Sequence, residues 1–275
     1  MYLTDEQFQT FQEKGFVVLS QLFSSSEIEA MQDEIPGLFS RDTPRRVLEK
    51  GSDVVRSVYG SHTESDIFAR LARHPALVEP ARRILGSDVY VYQFKINAKR
   101  AFDGDVWEWH QDFVFWQQED GMPEPRVVNA VVFLDEVNEF NGPLLFIPGS
   151  HQEGVVSVNA KELDPAYGNG PAWISNLTAK LKYFVPREDV ARFVVRSGGI
   201  EAPKGPSGSV LFFDSNIVHG SAQNVSPFDR RVVVVTYNSV ENLPRPIENP
   251  RPDFLASRDF TPVVPLPGSS LLEAV

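Results

Sequence analysis

Two of the five histidines stand in contexts that could hold a metal. His110 lies in Trp107-Glu108-Trp109-His110-Gln111-Asp112, and His219 follows Phe212-Phe213-Asp214-Ser215-Asn216-Ile217-Val218. Side chains two apart on a strand share a face, so the spacing predicts that His110 and Asp112 converge while Gln111 turns away. A third ligand from a distant strand would complete a face of two histidines and one carboxylate with adjacent positions open. That set suits non-haem Fe(II) oxygenases, and His219 is the candidate. The chain has no cysteine, which excludes disulfides, thiolate zinc sites, iron–sulfur clusters and a cysteine nucleophile. Any metal must therefore sit on histidine and carboxylate. A lone His-x-Asp also fits an ordinary packed histidine, and the same ligand types suit a zinc hydrolase.

The segment after His219 adds a second requirement of such chemistry. Gly220 and Ser221 are followed by Asn224, Ser226-Pro227-Phe228 and Arg230, ahead of an apolar run. A guanidinium grips a carboxylate with two parallel hydrogen bonds. An oxygenase using 2-oxoglutarate needs a cation at the far end of that cosubstrate, a place Arg230 could fill; otherwise Arg230 or Arg231 merely solubilises a loop end. Lys95 stands two residues from both Gln93 and Asn97 on one strand face, where it suits a substrate carboxylate, or snorkels at the rim of the core. Arg56, Tyr59 and His62 precede the β-rich part and could fold over a pocket to meet an amino acid's charged groups. His74 reads as a surface or helix-end residue and His151 as structural.

The elements that must position these groups follow from pattern. With 275 residues, 42% hydrophobic and 23% charged, the chain can bury a sizeable core. Thr4 with Gln7 and Gly15 bracket a helix over 5–14, Phe16 to Leu19 reads as a strand, and Ser26 with Glu29 caps a second helix ending near Phe39, before a charged loop from Arg41 to Arg46. Ile67 to Leu85, interrupted by His74-Pro75, predicts one broken helix or two short ones. Beyond Gly86, the runs Val89–Asn97, Val127–Leu134, Leu144–Ile147, Ser209–Phe213 and Val232–Asn238 predict an all-β core. A lid-like insertion spans about 155–204, with a helix near Leu177 to Phe184 followed by the segment Arg187 to Val195. Seven prolines in 242–275 predict an extended tail over the surface. A single domain over 1–275 is expected, comprising a helical flank to about 88, a β core over about 89–240 and the tail from 241.

Several landmarks resemble the phytanoyl-CoA dioxygenase superfamily of Fe(II)/2-oxoglutarate oxygenases. They are Tyr92-Gln93-Phe94-Lys95-Ile96-Asn97, Trp109-His110-Gln111-Asp112-Phe113, Trp116, Asp120-Gly121-Met122-Pro123, Asn141-Gly142-Pro143, Pro148-Gly149-Ser150-His151 and His219-Gly220-Ser221, in the usual order. Within it the chain is similar to ectoine hydroxylase and still more to bacterial free L-leucine 5-hydroxylases, with least agreement near Val155 to Lys204. The resemblance implies a mainly β fold, a double-stranded β-helix (jelly-roll, cupin-like) barrel flanked by N-terminal α-helices. It implies Fe(II) on His110, Asp112 and His219, and Arg230 on the remote carboxylate of 2-oxoglutarate. Gln93, Asn97 and Ser221 match positions that help hold the cosubstrate, while Lys95 and Trp116 match positions beside the substrate. Asp112 in place of a small residue favours hydroxylation over halogenation.

The expected reaction converts 2-oxoglutarate and O₂ into succinate and CO₂ while hydroxylating a free aliphatic L-amino acid, L-leucine at C5 first, with ascorbate helpful in vitro. Ectoine, proline or another branched amino acid is the alternative. From another class, a non-catalytic scaffold would bind metal and 2-oxoglutarate without turnover. Thirty-seven acidic against 26 basic residues, a net charge of −11, argue against nucleic acid or an anionic membrane as partner. The polar, acidic start and the lack of a long apolar stretch predict a cytoplasmic monomer or homodimer.

Overall fold

The computed structural model describes residues 2–156, 159–160, 172–268 and 270–272. Helix α1 (Asp5–Lys14) has the predicted capping box, with Thr4 and Gln7 exchanging hydrogen bonds, and ends at left-handed Gly15 before strand β1 (Phe16–Leu19). Helix α2 (Ser25–Ser40) is capped by Ser24 and Glu27, two residues earlier than expected. Both Ser-x-x-Glu patterns fit a box. The earlier register also places Phe23 and Ile28 at the two staple positions, and both are buried in one cluster. The Ile67–Leu85 pattern is two helices, α3 (Asp66–Leu71) and α4 (Pro75–Leu85), with buried His74 capping the second from its Nδ1. Among the described residues, no helix is long and apolar enough to cross a membrane.

Between α2 and α3, the expected charged loop from Arg41 leads into two strands that were not expected, β2 (Arg46–Leu48) and β3 (Val55–Tyr59), which pair with each other. With β4 (Val89–Lys99), β6 (Val127–Phe133), β10 (Val210–Asp214) and β12 (Arg230–Ser239), they complete an antiparallel seven-stranded sheet in the order β1-β10-β6-β12-β4-β3-β2. A second sheet has the order β5-β11-β7, from β5 (Trp107–His110), β11 (His219–Ser221) and β7 (Leu144–Phe146). The architecture is thus mixed helix and antiparallel sheet.

Burial explains the strand patterns. Val233, Val235 and Tyr237 of β12 pack with Phe94, Ile96 and the helices, while Val232 and Val234 pack with Phe146, Phe213 and Val131 on the opposite face. Both faces are covered, so β12 reads as an unbroken apolar run rather than an alternation. On β4 the face opposite Phe94 and Ile96 is polar, and that is where the site lies. In the insertion, Arg187–Ser197 is helix α6. Ala172–Leu177 is a 3-10 helix, and Tyr183–Phe184 is strand β9, paired with β8 (Asn159–Ala160), where a helix was expected. The deciding contacts are distant in sequence: Val185 N donates to Trp109 O at 2.7 Å and Leu181 N to Glu108 Oε2 at 3.0 Å.

Candidate active site

His110 closes β5 and His219 opens β11, and the two are direct cross-strand partners with ring centroids 4.2 Å apart. Asp112 does not share a strand with His110. Gln111 is the N-cap of helix α5 (Asp112–Asp120), and Asp112 is its first helical residue. The strand-to-helix turn still brings the carboxylate to the histidines: Oδ1 lies 3.5 Å from His110 Nε2, and Oδ2 lies 3.9 Å from His219 Nε2. Ligand atoms of the three residues all fall within 4.8 Å of one another. Gln111 turns away as predicted. Its Nε2 donates to Asn216 O at 2.5 Å and Gly154 O at 2.8 Å, tying the Asp112 turn to the segment before His219.

Both imidazoles are preset to offer Nε2. His110 Nδ1 meets Glu108 O at 2.6 Å, and His219 Nδ1 meets Ile217 O at 3.0 Å. A carbonyl only accepts, so the hydrogen sits on Nδ1 and the Nε2 lone pair is left for a metal. Burial, and then the neighbouring His110, push the His219 pKa down to about 3, which favours the neutral ligand form. Burial opposes ionisation of Asp112, but Lys95, His219 and His110 together outweigh it and hold the carboxyl below the ordinary carboxylate range. Asn129 Nδ2 donates to Asp112 Oδ2 at 2.9 Å.

The cluster opens on a hollow of about 860 Å³, counting the space at its mouth. Gln93, Lys95 and Asn97 line one wall from β4, as their shared spacing predicts, with Trp116 and Tyr59 nearby. Arg230 is buried at this hollow and donates to Gly142 O at 2.6 Å. Burial pulls its pKa only to about 10, so the guanidinium stays charged. Gln93 Nε2 donates to Leu255 O at 2.6 Å. Arg230 Nε, Asn97 Oδ1 and Ser221 Oγ are buried without a hydrogen-bond partner. Orphaned polar atoms are costly in a folded interior, and these three suit an oxygen-rich dicarboxylate beside the ligand cluster. The residues fit Fe(II) and 2-oxoglutarate.

Two predicted contacts lie elsewhere. Arg56 is buried behind the wall, paired with Glu49 at 3.0 Å, donating to Leu177 O and Val106 O, with its guanidinium 3.8 Å from the Trp107 ring centre. It touches the lining of the hollow from behind, through Trp107 and Leu177. His62 stacks on Phe94 and lines a separate depression with Arg45 and Phe254. Sequence reading missed Asn129, Lys99 and Arg251. Lys99 continues the Gln93-Lys95-Asn97 alternation, and that periodicity was the available signal. Arg251, from the proline-rich tail, lines the hollow and is paired with buried Asp120. Trp109 faces away from the cluster, packing with Ile147, Val185 and Phe193.

Comparison with known proteins agrees with this geometry. Residues 11–232 match the phytanoyl-CoA dioxygenase (PhyH) family. The chain is 42% identical over 258 residues to the L-proline trans-4-hydroxylase of Streptomyces griseoviridis, covering 94% of each chain. It is 38% identical to the ectoine dioxygenase of Bordetella bronchiseptica over 281 residues, covering 98% of this chain and 88% of that protein. The crystal structure of EctD from S. alaskensis with 2-oxoglutarate and 5-hydroxyectoine superposes with a TM-score of 0.81 at 32% identity, covering 96% of this chain and 88% of that one. The chain belongs to the PhyH family. It is an Fe(II)/2-oxoglutarate-dependent dioxygenase.

Proposed function

We propose that the protein hydroxylates a small free zwitterionic solute, an L-amino acid in the first instance, in a reaction that consumes 2-oxoglutarate and O₂. The observation that carries this reading is the meeting of His110, Asp112 and His219 within 4.8 Å at the wall of a hollow that also holds Arg230. In it His110, Asp112 and His219 hold the iron; Arg230, Asn97, Ser221 and Gln93 hold the cosubstrate; Lys95, Trp116 and Tyr59 face the substrate. The two sheets form the walls of a double-stranded β-helix, and the whole chain acts as one dioxygenase domain.

When bound, Fe(II) with 2-oxoglutarate supplies the O₂-dependent chemistry that yields succinate and CO₂ and hydroxylates a C–H bond. The chain's own work is positional. The Nδ1–H groups of both histidines stay on backbone carbonyls, so each ring keeps one orientation, and Asn129 holds the Asp112 carboxylate. Lys95 offers a cation to a carboxylate, while Phe115, Leu144, Leu181 and Trp116 supply an apolar cup that excludes water and presents one carbon.

L-proline replaces L-leucine at the head of the substrate order, because the 42%-identical relative is named for L-proline. Leucine and ectoine follow. The test is a panel of free amino acids and ectoine with Fe(II), ascorbate and 2-oxoglutarate, reading succinate and the mass gain of one oxygen atom. Product from L-proline or another member supports the reading; succinate that never depends on an added solute contradicts it.

A further inference from the structure

Two charged side chains stand beside the hollow without lining it, and both end on one short stretch of the insertion. Arg56 Nε donates to the carbonyl of Leu177 at 3.2 Å, and the Glu108 carboxylate accepts from the amide of Leu181 at 3.0 Å. Arg56 is itself fixed by Glu49 at 3.0 Å. Between these two ends the Thr178 hydroxyl donates to Lys180 O at 3.1 Å. Among the described residues, Leu177 and Leu181 are the side chains that the insertion contributes to the hollow, and both are buried. Leu177 packs in one cluster with Tyr59 and Leu255, and Leu181 in another with Phe115 and Trp116.

Loop backbone is ordinarily served by water, whereas here a charged group takes the carbonyl at one end and the amide at the other. Hydrogen bonds with one ionised partner are roughly twice as strong as neutral ones. The anchoring continues towards the metal ligands. Val185 N donates to Trp109 O at 2.7 Å, while Lys182 Nζ and the Tyr183 hydroxyl both donate to Glu119 Oε1, at 2.6 and 2.8 Å. Glu108 and Trp109 precede His110 on β5, and Glu119 lies on α5, which Asp112 opens. The position of Leu181 is therefore keyed to the iron ligands. The strands that carry those ligands and the cosubstrate contacts cannot change course without moving them, but a loop between two clamps can.

We propose that residues 177–181, held at their ends by Arg56 and Glu108, set the largest solute side chain that the hollow accepts. Leu177 and Leu181 determine specificity by their bulk; Arg56 and Glu108 are positioning residues that act through them. The inference rests on the reading of the hollow as the site for a free amino acid. A pocket selects by size only if its wall does not yield, and the two clamps supply that stiffness. An apolar pocket separates substrates one methylene apart by about 10–200-fold, and leucine to alanine removes more bulk than that from the wall. The same reading gives Arg56 its task, which is to place the Leu177 carbonyl rather than to meet the solute.

The experiment compares a compact with a bulkier free amino acid, L-proline with L-leucine in the first instance. Two readouts are taken on the full chain: kcat/KM, and anaerobic calorimetric binding to the protein loaded with Fe(II) and 2-oxoglutarate. The wild type is expected to favour the compact solute. Leu177→Ala and Leu181→Ala are each expected to raise the bulky-to-compact ratio by about tenfold or more in both readouts. Glu108→Ala is expected to shift the ratio the same way, to raise KM for the compact solute more than it lowers kcat, and to speed hydrogen exchange at the Leu181 amide. Its Fe(II) affinity stays unchanged, because the Glu108 group that meets His110 is the backbone carbonyl. Glu108→Gln keeps an acceptor oxygen and restores the wild-type ratio; if Glu108→Ala does not fold, Glu108→Asp, one methylene short of the amide, makes the same test. A ratio unchanged in both leucine variants overturns the proposal, and so does a wild type that takes the bulky solute as readily as the compact one. An unchanged ratio in the folded Glu108 variant removes the clamp. A wild type that binds no free solute at all removes the reading of the hollow instead, and the inference falls with it.

Discussion

Asn129 is the clearest case of one residue working through another. Its Nδ2 donates to Asp112 Oδ2 at 2.9 Å, and its Oδ1 accepts from Thr236 Oγ1 at 2.6 Å, so the amide cannot flip without losing both partners. Partners that orient metal ligands typically contribute about 10–100-fold in affinity or activity. Asn129→Ala is expected to weaken Fe(II) binding by about that factor with the fold retained, as read by anaerobic metal titration and circular dichroism; unchanged affinity would show that Asp112 needs no such support. Arg230→Ala should act differently, raising the KM for 2-oxoglutarate about tenfold or more with a smaller change in kcat. A kcat loss at unchanged KM would count against its assigned place. The spacing of His110, Asp112, His219 and Arg230 was readable because each type is chemically rare in its context. Asn129 was not, although an asparagine inside Val127-Val128-Asn129-Ala130-Val131-Val132 must find a partner once buried, and that was the available signal.

Helix α5 links the metal ligand at its start to the tail at its end. Asp120 is its last residue, and its carboxylate accepts from Arg251 Nε at 2.8 Å, from Arg251 Nη2 and from the Tyr92 hydroxyl. Arg251 and Asp120 are both buried. Removing one partner of a buried pair strands the other charge, at a cost of about 3–5 kcal/mol. Arg251→Met should therefore lower stability in urea unfolding by about that amount, and adding Asp120→Asn should recover part of it. A loss under about 1 kcal/mol would mean that water reaches the carboxylate. This helix was hidden in the sequence because Phe113, Val114, Phe115 and Trp116 are consecutive and all buried, leaving no apolar stripe at helical period. Helix α1 was readable, since its cap, length and terminating glycine are local signals.

Across the whole molecule, local signals located most of the long sheet, while long-range contacts decided the rest. The edge pair β2 and β3 and the strand β9 owe their form to partners far along the chain, which periodicity within a window does not report. Global stability carries a pH signature from Asp214, at the end of β10, whose carboxylate accepts from Asn216 N at 2.7 Å. Burial lifts its pKa from 3.8 to about 6. A folded pKa above the unfolded one gives stability that is fully present below about pH 4 and is lost as pH rises through about 6. Asp214→Asn should therefore be more stable than the wild type above about pH 7, by roughly 1–3 kcal/mol, with the difference vanishing in acid. Equal melting curves at high pH would contradict that. The central claim, that three side chains from β5, α5 and β11 hold a single ferrous ion, is tested most directly by anaerobic Fe(II) titration in the presence of 2-oxoglutarate. One ion per chain is predicted for the wild type, with stoichiometric binding lost in a folded Asp112→Ala or His219→Ala variant. Undiminished binding in either would contradict the account.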